Sequence, residues 1–211
     1  MAPTEQKQAV FISIAGYKGG IGKTSVALNI AALLALRGFK VGFFEHDKQS
    51  SLEVLMGMED ANFPFELLED INEIPEGTDF VIADWPPGVE GHLFEGQQDI
   101  LVILLQPSLL DWNATQTGLN SLSKDTKHIV VVNRLKKNSQ DHQEILEGVR
   151  DEYPDEEIPT IYERTAMQAA TNRSTTVFGL ENRRSGVREV RTDIEEVVNA
   201  IFAKLGMELP V

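Results

Sequence analysis

The chain has 211 residues, 42% of them hydrophobic and none of them cysteine, and its net charge is −14. A chain without cysteine excludes disulfides, a thiol nucleophile and Cys-ligated zinc or iron–sulfur centres, and its four histidines are scattered without metal-ligand spacing. The negative charge excludes a uniformly basic surface, yet the stretch 164–191 holds six arginines against two glutamates, a local charge of +4. We therefore expect an acidic protein with one basic patch.

The domain organisation follows from length and from the absence of linkers. The length is typical of one domain, and no Pro/Gly/Ser-rich linker or internal repeat divides the sequence. We interpret 1–8 as a polar N-terminal tail and 9–211 as one folded domain. Because no run approaches the roughly 18 apolar residues of a membrane span, and no apolar signal-peptide segment precedes the domain, we expect a cytoplasmic protein without stable membrane insertion.

Apolar runs and helical patterns alternate along the chain. Near-continuous apolar runs predict strands at 9–15, 40–45, 79–84, 99–106 and 127–133. Helix-compatible patterns fill 24–37, 110–124, 140–152 and 187–205. This alternation predicts a single α/β domain with a mostly parallel, twisted sheet and helices on both faces. Ligands of such sheets bind at the carboxyl ends of the strands, so the residues that close each apolar run are the first candidates for a functional site.

A glycine-rich turn between the first strand and the first helix is the strongest functional signal. The turn and the start of the helix read Lys18, Gly19, Gly20, Ile21, Gly22, Lys23, Thr24 and Ser25. The glycines let successive N–H groups point inward, where they and the helix N-terminus can bind nucleotide phosphates. Lys23 would reach the β- and γ-phosphates, and the Thr24 hydroxyl would ligate Mg²⁺. The alternative is a glycine turn with two solvated lysines, but the order of strand, turn, G-K-T and helix predicts the fold of a P-loop NTPase.

This segment departs from the strict P-loop pattern, because Tyr17 stands where that pattern has glycine. With its additional Lys18, the string K-G-G-x-G-K-T resembles the deviant Walker A motif of the ParA/MinD family of ATPases, and the chain is most similar to the short ParA-type partition members. The resemblance implies ATP and Mg²⁺ as cofactors and a homodimer formed with ATP, in which Lys18 reaches the phosphates bound by the second subunit. Lys18 and Lys23 are therefore candidate catalytic residues. The alternative for Lys18 is an ordinary surface lysine.

Two acidic segments follow the second and third predicted strands. The segment 45–49, E-H-D-K-Q, is similar to the family's switch I string D-x-D-P-Q, with Glu45 and Lys48 as departures. Asp47 falls on the second aspartate of that string, where it would orient or deprotonate the attacking water and contact the metal. Asp84 precedes W-P-P-G, resembles the Walker B aspartate, and would hold Mg²⁺ directly or through water. The alternative for Asp84 is an ordinary aspartate between a strand and a turn.

Two further positions are candidates for binding the base. Asn133 closes its apolar run and matches the family's adenine-contacting asparagine, whose amide can both donate and accept hydrogen bonds. Since asparagine is common in turns, a purely structural role is the alternative. Pro159, in the string I-P-T-I, is the weaker candidate for the second wall of the adenine pocket.

The basic stretch predicts the subfamily. ParA-type partition members bind nonspecific DNA through basic residues near their C-terminal helices, and the resemblance places five arginines there: Arg173, Arg183, Arg184, Arg188 and Arg191. Contacts of this kind bind DNA phosphates and weaken as salt rises. The alternative is a solvated helix face whose arginines pair with nearby acids such as Glu181, Glu189 and Asp193.

These features predict an ATP-dependent dimerising ATPase that binds nonspecific DNA and partitions or positions a plasmid, a chromosome or another cargo. We expect it on the nucleoid, with hydrolysis slow until a ParB-like or other partner protein stimulates it. One alternative is a membrane-associated positioning ATPase of MinD type, although one lysine against one glutamate in the last ten residues gives little attraction to anionic lipid. The other is a metabolic ATP-dependent ligase or kinase on the same fold.

Overall fold

The computed structural model describes residues 9–46, 52–87 and 98–210, which build one seven-stranded parallel sheet. The strands are β1 Val10–Ala15, β2 Val41–Glu45, β3 Glu66–Leu68, β4 Phe80–Asp84, β5 Ile100–Leu105, β6 His128–Leu135 and β7 Thr160–Tyr162. Their order across the sheet is β3-β2-β4-β1-β5-β6-β7. The first strand thus lies in the middle, and its carboxyl end is flanked by the ends of β4 and β5.

The central strands are apolar on both faces because helices cover both. Every residue of β5 is fully buried, and β4 is buried throughout. The register pairs Ile14 of β1 with Asp84 of β4, which brings the last residue of β4 beside the turn that leaves β1. The carboxyl edge of the sheet is therefore where charged residues first meet the buried core.

The described residues form six α-helices, of which the last two follow β7. They are α1 Lys23–Leu36, α2 Leu52–Met56, α3 Leu109–Leu119, α4 Gln140–Glu152, α5 Thr165–Thr171 and α6 Val187–Leu205, with a short 3-10 helix at Val177–Gly179 before α6. Helices α1 and α6 pack on one face of the sheet and on each other, whereas α3 and α4 cover the other face of β5 and β6. Because α1 packs against the sheet and also against α6, it buries most of its circumference.

The predicted fold class is confirmed, and so are all five predicted strands within two residues at either end. The predicted bounds of α4 and α6 agree with the structure. Helix α3 ends five residues earlier than predicted, because the hydroxyl and the N–H of Ser121 both donate to the carbonyl of Gly118 and turn the chain. The three-residue strands β3 and β7 and the short helices α2 and α5 were not predicted, since so few residues give no periodic pattern.

Candidate functional site

The turn between β1 and α1 has the geometry of a phosphate-binding loop. Gly20 and Gly22 adopt left-handed φ angles of +74° and +93°. A Cβ on Gly22 would lie 2.7 Å from the Nδ2 atom of Asn133, so this position needs glycine for space as well as for conformation. Gly22 is also the N-cap of α1, and glycine has no side chain to occupy the first N–H groups of the helix. These N–H groups can therefore donate hydrogen bonds to a bound anion.

Lys23, Thr24 and Asp84 come together where this loop meets the end of β4. The Thr24 hydroxyl donates to the Oδ2 atom of Asp84 at 2.5 Å, and Asp84 is 5% exposed. Burial lowers the pKa of Lys23, and the charge of Asp84 acts in the opposite direction. A hydroxyl and a carboxylate are the hard oxygen donors that Mg²⁺ prefers. This pair therefore fits the metal of a bound nucleotide, with Lys23 beside it as the cation for the phosphates.

The two residues before the glycines have opposite environments. Tyr17 is half-buried against α3, where a Cβ on Gly118 would lie 1.8 Å from its ring, and burial raises the pKa of the Tyr17 hydroxyl. Lys18, the next residue, is exposed. Tyr17 thus fixes the start of the loop to α3 and leaves the Lys18 side chain in solvent. The other predicted catalytic residue, Asp47, lies outside the described residues.

The segments that follow β2 and β4 are joined by a contact that the sequence did not predict. The His46 ring stacks on the Trp85 indole, with ring centroids 4.8 Å apart, and the His46 N–H donates to the Asp84 carbonyl at 3.1 Å. The indole N–H of Trp85 donates to the Ser13 hydroxyl at 3.1 Å. In the sequence, the only indication of this contact is that His46 and Trp85 each follow the last residue of a predicted strand.

Asn133 binds the phosphate loop directly. It is 3% exposed, and its Nδ2 atom donates to the carbonyl of Ile21 at 2.6 Å. Its Oδ1 atom accepts from the N–H of Arg134 at 2.9 Å. Arg134 has a left-handed φ of +59°, at the bulge where β6 shifts register against β7. The side chain of Asn133 therefore supports the loop, and its contact with a base stays a prediction.

A groove of about 660 Å³ opens beside Asn133. Its lining includes Gly22 and Ser25 at the start of α1, together with Tyr162, Arg164 and Gln168 of β7, α5 and the turn between them. Pro159 is not among the described residues that line this groove, and its contact with a base stays a prediction. Pro159 is buried just before β7, where its carbonyl accepts from the N–H of Val132 at 3.1 Å. Strand β7 carries the chain past it, so Tyr162 reaches the groove instead.

Three of the five candidate DNA-binding arginines are exposed, and the other two are half-buried. Arg173, Arg183 and Arg188 are exposed, and Arg184 is half-buried. Arg183 pairs with Glu181 at 2.5 Å, but both side chains of this pair are more than two thirds exposed. Solvent-exposed pairs of this kind contribute little and are easily exchanged. The exposed arginines therefore remain candidates for binding phosphates of DNA.

Arg191 differs from the exposed arginines in its contacts, and its binding to DNA stays a prediction. Its guanidinium donates to the carbonyls of Val177, Phe178 and Leu180 at 3.0, 3.2 and 2.7 Å and also contacts Asn182. Burial lowers the pKa of this guanidinium, and Glu195 acts in the opposite direction. Arg191 therefore holds the 3-10 helix against α6, and four of its five N–H donors are used within the chain.

A helix that crosses a membrane must be both long and apolar. None of the helices in 9–46, 52–87 and 98–210 is both long enough and apolar enough to cross a bilayer.

Sequence comparison identifies one family and several relatives. Over 124 residues, or 52% of this chain, the sequence is 32% identical to the maintenance of carboxysome distribution protein A of Halothiobacillus neapolitanus. That match spans 57% of the relative's length, and the matches to two further curated relatives span 13% and 31% of theirs. The chain therefore covers less than two thirds of each curated relative.

Solved structures share the fold at lower identity. The ATP complex of a McdA variant from Cyanothece matches with a TM-score of 0.70 and 20% identity, over 96% of this chain and 98% of that chain. A plasmid partition protein from Borrelia burgdorferi bound to AMPPNP matches with a TM-score of 0.67 and 16% identity, over 91% and 99% of the two chains. Residues 12–177 match the CobQ/CobB/MinD/ParA nucleotide binding domain, and the chain belongs to this family.

Proposed function

We propose that the chain binds ATP with Mg²⁺ and hydrolyses it to ADP and phosphate. The observation that carries this proposal is the cluster of Lys23, Thr24 and Asp84 beside the N-terminus of α1. Lys23 and the loop N–H groups bind the phosphates, and they stabilise the charge that spreads over the transferring phosphoryl group. Mg²⁺ bound with the nucleotide neutralises phosphate charge, and Thr24 and Asp84 hold it. Asp47 is proposed to orient the attacking water.

ATP binding is proposed to bring two copies of the chain together through Lys18. Support comes from the contrast between the two lysines of the loop, since Lys23 is buried beside Asp84 whereas Lys18 is exposed. A solvent-exposed lysine on a phosphate loop can reach phosphates bound by a second copy. Each site then lacks one cation until the dimer forms, and hydrolysis in the monomer is slow.

The ATP-bound dimer is proposed to bind nonspecific DNA through Arg173, Arg183, Arg184 and Arg188. Their exposure supports this role, as does the local positive charge in an otherwise acidic chain. Hydrolysis, stimulated by a ParB-like or other partner protein, would separate the dimer and release the DNA. The chain would thereby partition or position a cargo on the nucleoid in the cytoplasm. Its similarity to a protein of carboxysome distribution and to a plasmid partition protein supports the positioning role.

The test is binding to a nonspecific DNA duplex with ATP or ADP, at about 50 mM and about 200 mM salt. We expect binding with ATP at low salt only, and its loss in Lys18→Ala and in the double variant Arg183→Ala/Arg184→Ala. The matched control is Lys137→Ala/Arg150→Ala, which removes two exposed positive charges elsewhere and should bind as the wild type does. Absence of DNA binding with either nucleotide contradicts the DNA part of the proposal, and equal loss in the control pair contradicts the assigned surface.

A further inference from the structure

Asp193 of α6 lies directly behind the wall of the groove that Tyr162 and Arg164 form. The carboxylate is 6% exposed. Its Oδ2 atom accepts from the N–H of Tyr162 at 3.0 Å and forms an ion pair with the guanidinium of Arg164. One oxygen atom thus holds two residues of this wall, although it belongs to a helix about 30 residues further along the chain.

The neighbouring contacts leave Arg164 and Tyr162 little freedom. The guanidinium carbon of Arg164 lies 5.2 Å from the centroid of the Tyr162 ring. Gly186, with a φ of +77°, leaves room for the stem of Arg164, because a Cβ there would come within 3.1 Å of its Cδ atom. The turn that starts α6 is therefore shaped around Arg164.

Burying the charged carboxylate of Asp193 costs free energy unless other groups compensate for the lost water. Burial raises the pKa of Asp193, while the N–H of Tyr162 and the charge of Arg164 act in the opposite direction. Since an ion pair of this kind contributes little net stability compared with apolar packing, a role in fixing neighbouring groups explains it better than a role in stability.

We propose that Asp193 is a positioning residue that holds Tyr162 and Arg164 as the wall against which the base of the nucleotide packs. This inference rests on the proposed function, namely that phosphates bind at Gly22 and Lys23. Gly22, Ser25 and Tyr162 all line the same groove, so a base attached to those phosphates can enter the groove and reach Tyr162. An aromatic ring and a guanidinium plane are the groups that stack on a base.

The chain provides a matched control on the same helix. Lys204, in the last turn of α6, pairs with Glu156 at 2.7 Å, and both side chains are about one third exposed. Neither residue lines the groove. Removing this second pair disturbs the contacts of α6 at its other end without touching the base wall.

The experiment compares the affinity for ATP with the affinity for inorganic tripolyphosphate, which has no base. Asp193→Asn and Tyr162→Ala should each weaken ATP about tenfold, with tripolyphosphate changed less than about twofold. Tyr162→Phe and the control Glu156→Gln should bind both ligands as the wild type does. In the double variant Asp193→Asn/Tyr162→Ala the losses should not add, because both act on one wall.

The outcomes separate the inference from the function on which it rests. If the wild type binds neither ATP nor tripolyphosphate, the proposed function is wrong. If the wild type binds both and Asp193→Asn keeps its ATP affinity, or weakens both ligands equally, the positioning role is wrong. Should Asp193→Asn fail to fold, Arg164→Gln and Tyr162→Ala decide the question with the same two ligands.

Discussion

The candidate site has two halves of different construction. In the phosphate half, Lys23 and Asp84 are buried, and the Thr24 hydroxyl donates to the Asp84 carboxylate. In the base half, Tyr162 and Arg164 border an open groove and are held from behind by Asp193. The first half is rigid because the backbone itself shapes it, whereas the second depends on one tertiary contact. We therefore expect substitutions in the phosphate half to affect every nucleotide, and those in the base half to affect only ligands with a base.

The largest effect on ligand affinity is expected from Lys23→Ala, in the phosphate half. The variant removes the buried cation beside Asp84, so the affinity for ATP and for tripolyphosphate should fall together by about 100-fold. Titration calorimetry with the two ligands measures both losses. Lys18→Ala is the control, since an exposed lysine proposed to act in the dimer should leave the affinity of the monomer nearly unchanged. A loss confined to ATP would contradict the assignment of Lys23 to the phosphates.

The next effect is expected from Gly22→Ala. Because Gly22 has a left-handed φ and lies close to Asn133, the alanine side chain should lower the unfolding free energy by roughly 2 kcal/mol and impair binding of both ligands. Gly148→Ala in α4 is the control, because open space surrounds that position and alanine favours a helix by about 0.5–1 kcal/mol. Chemical denaturation measures both variants. If Gly22→Ala were as stable as the wild type, the loop would not need its left-handed turn.

Asn133→Ala tests whether this residue belongs to the phosphate half or to the base half. Because its amide donates to the Ile21 carbonyl, Asn133→Ala should weaken ATP and tripolyphosphate alike, by about tenfold. The same calorimetric pair of ligands measures the change. A loss for ATP with tripolyphosphate unaffected would instead assign Asn133 to the base, as the resemblance to the family implies.

The smallest effect on nucleotide binding is expected from Arg191→Ala, which lies outside both halves. Loss of its contacts with three carbonyls should lower the unfolding free energy by about 1–2 kcal/mol. Its ATP affinity and its DNA affinity should stay within about twofold of the wild type. Arg188→Ala should show the reverse pattern, with unchanged stability and weaker DNA binding at low salt. DNA binding that depends on Arg191 more than on Arg188 would overturn this assignment.

The difference between the halves also explains what the sequence could predict. The phosphate loop is a contiguous segment in which glycine positions dictate backbone geometry, so the sequence contains its full description. The base half joins β6, β7, α5 and α6, and nothing in a linear pattern indicates that Asp193 contacts Tyr162. Strand β7 has only three residues, too few to give a pattern, so the sequence did not indicate Tyr162.

The arginines show a second limit of sequence reasoning. Charge counting placed Arg188 and Arg191 on one surface, but three residues along a helix separate a solvent-exposed position from one that faces the preceding turn. Composition predicts a basic patch without indicating which guanidinium groups are already bound to carbonyls. The central strands and α1, in contrast, could be predicted from apolar patterns alone. An element that is buried on all sides has apolar residues at nearly every position.

The stacking of His46 on Trp85 gives the molecule an intrinsic optical reporter. Trp85 directly follows Asp84, and the only other tryptophan, Trp112, packs in a different cluster under α3 and α4. In Trp112→Phe, all tryptophan emission would come from the ring that joins the segments following β2 and β4. Any rearrangement of those segments when nucleotide arrives would change the contact with His46, and the turnover of a single site could be followed by fluorescence without an attached dye.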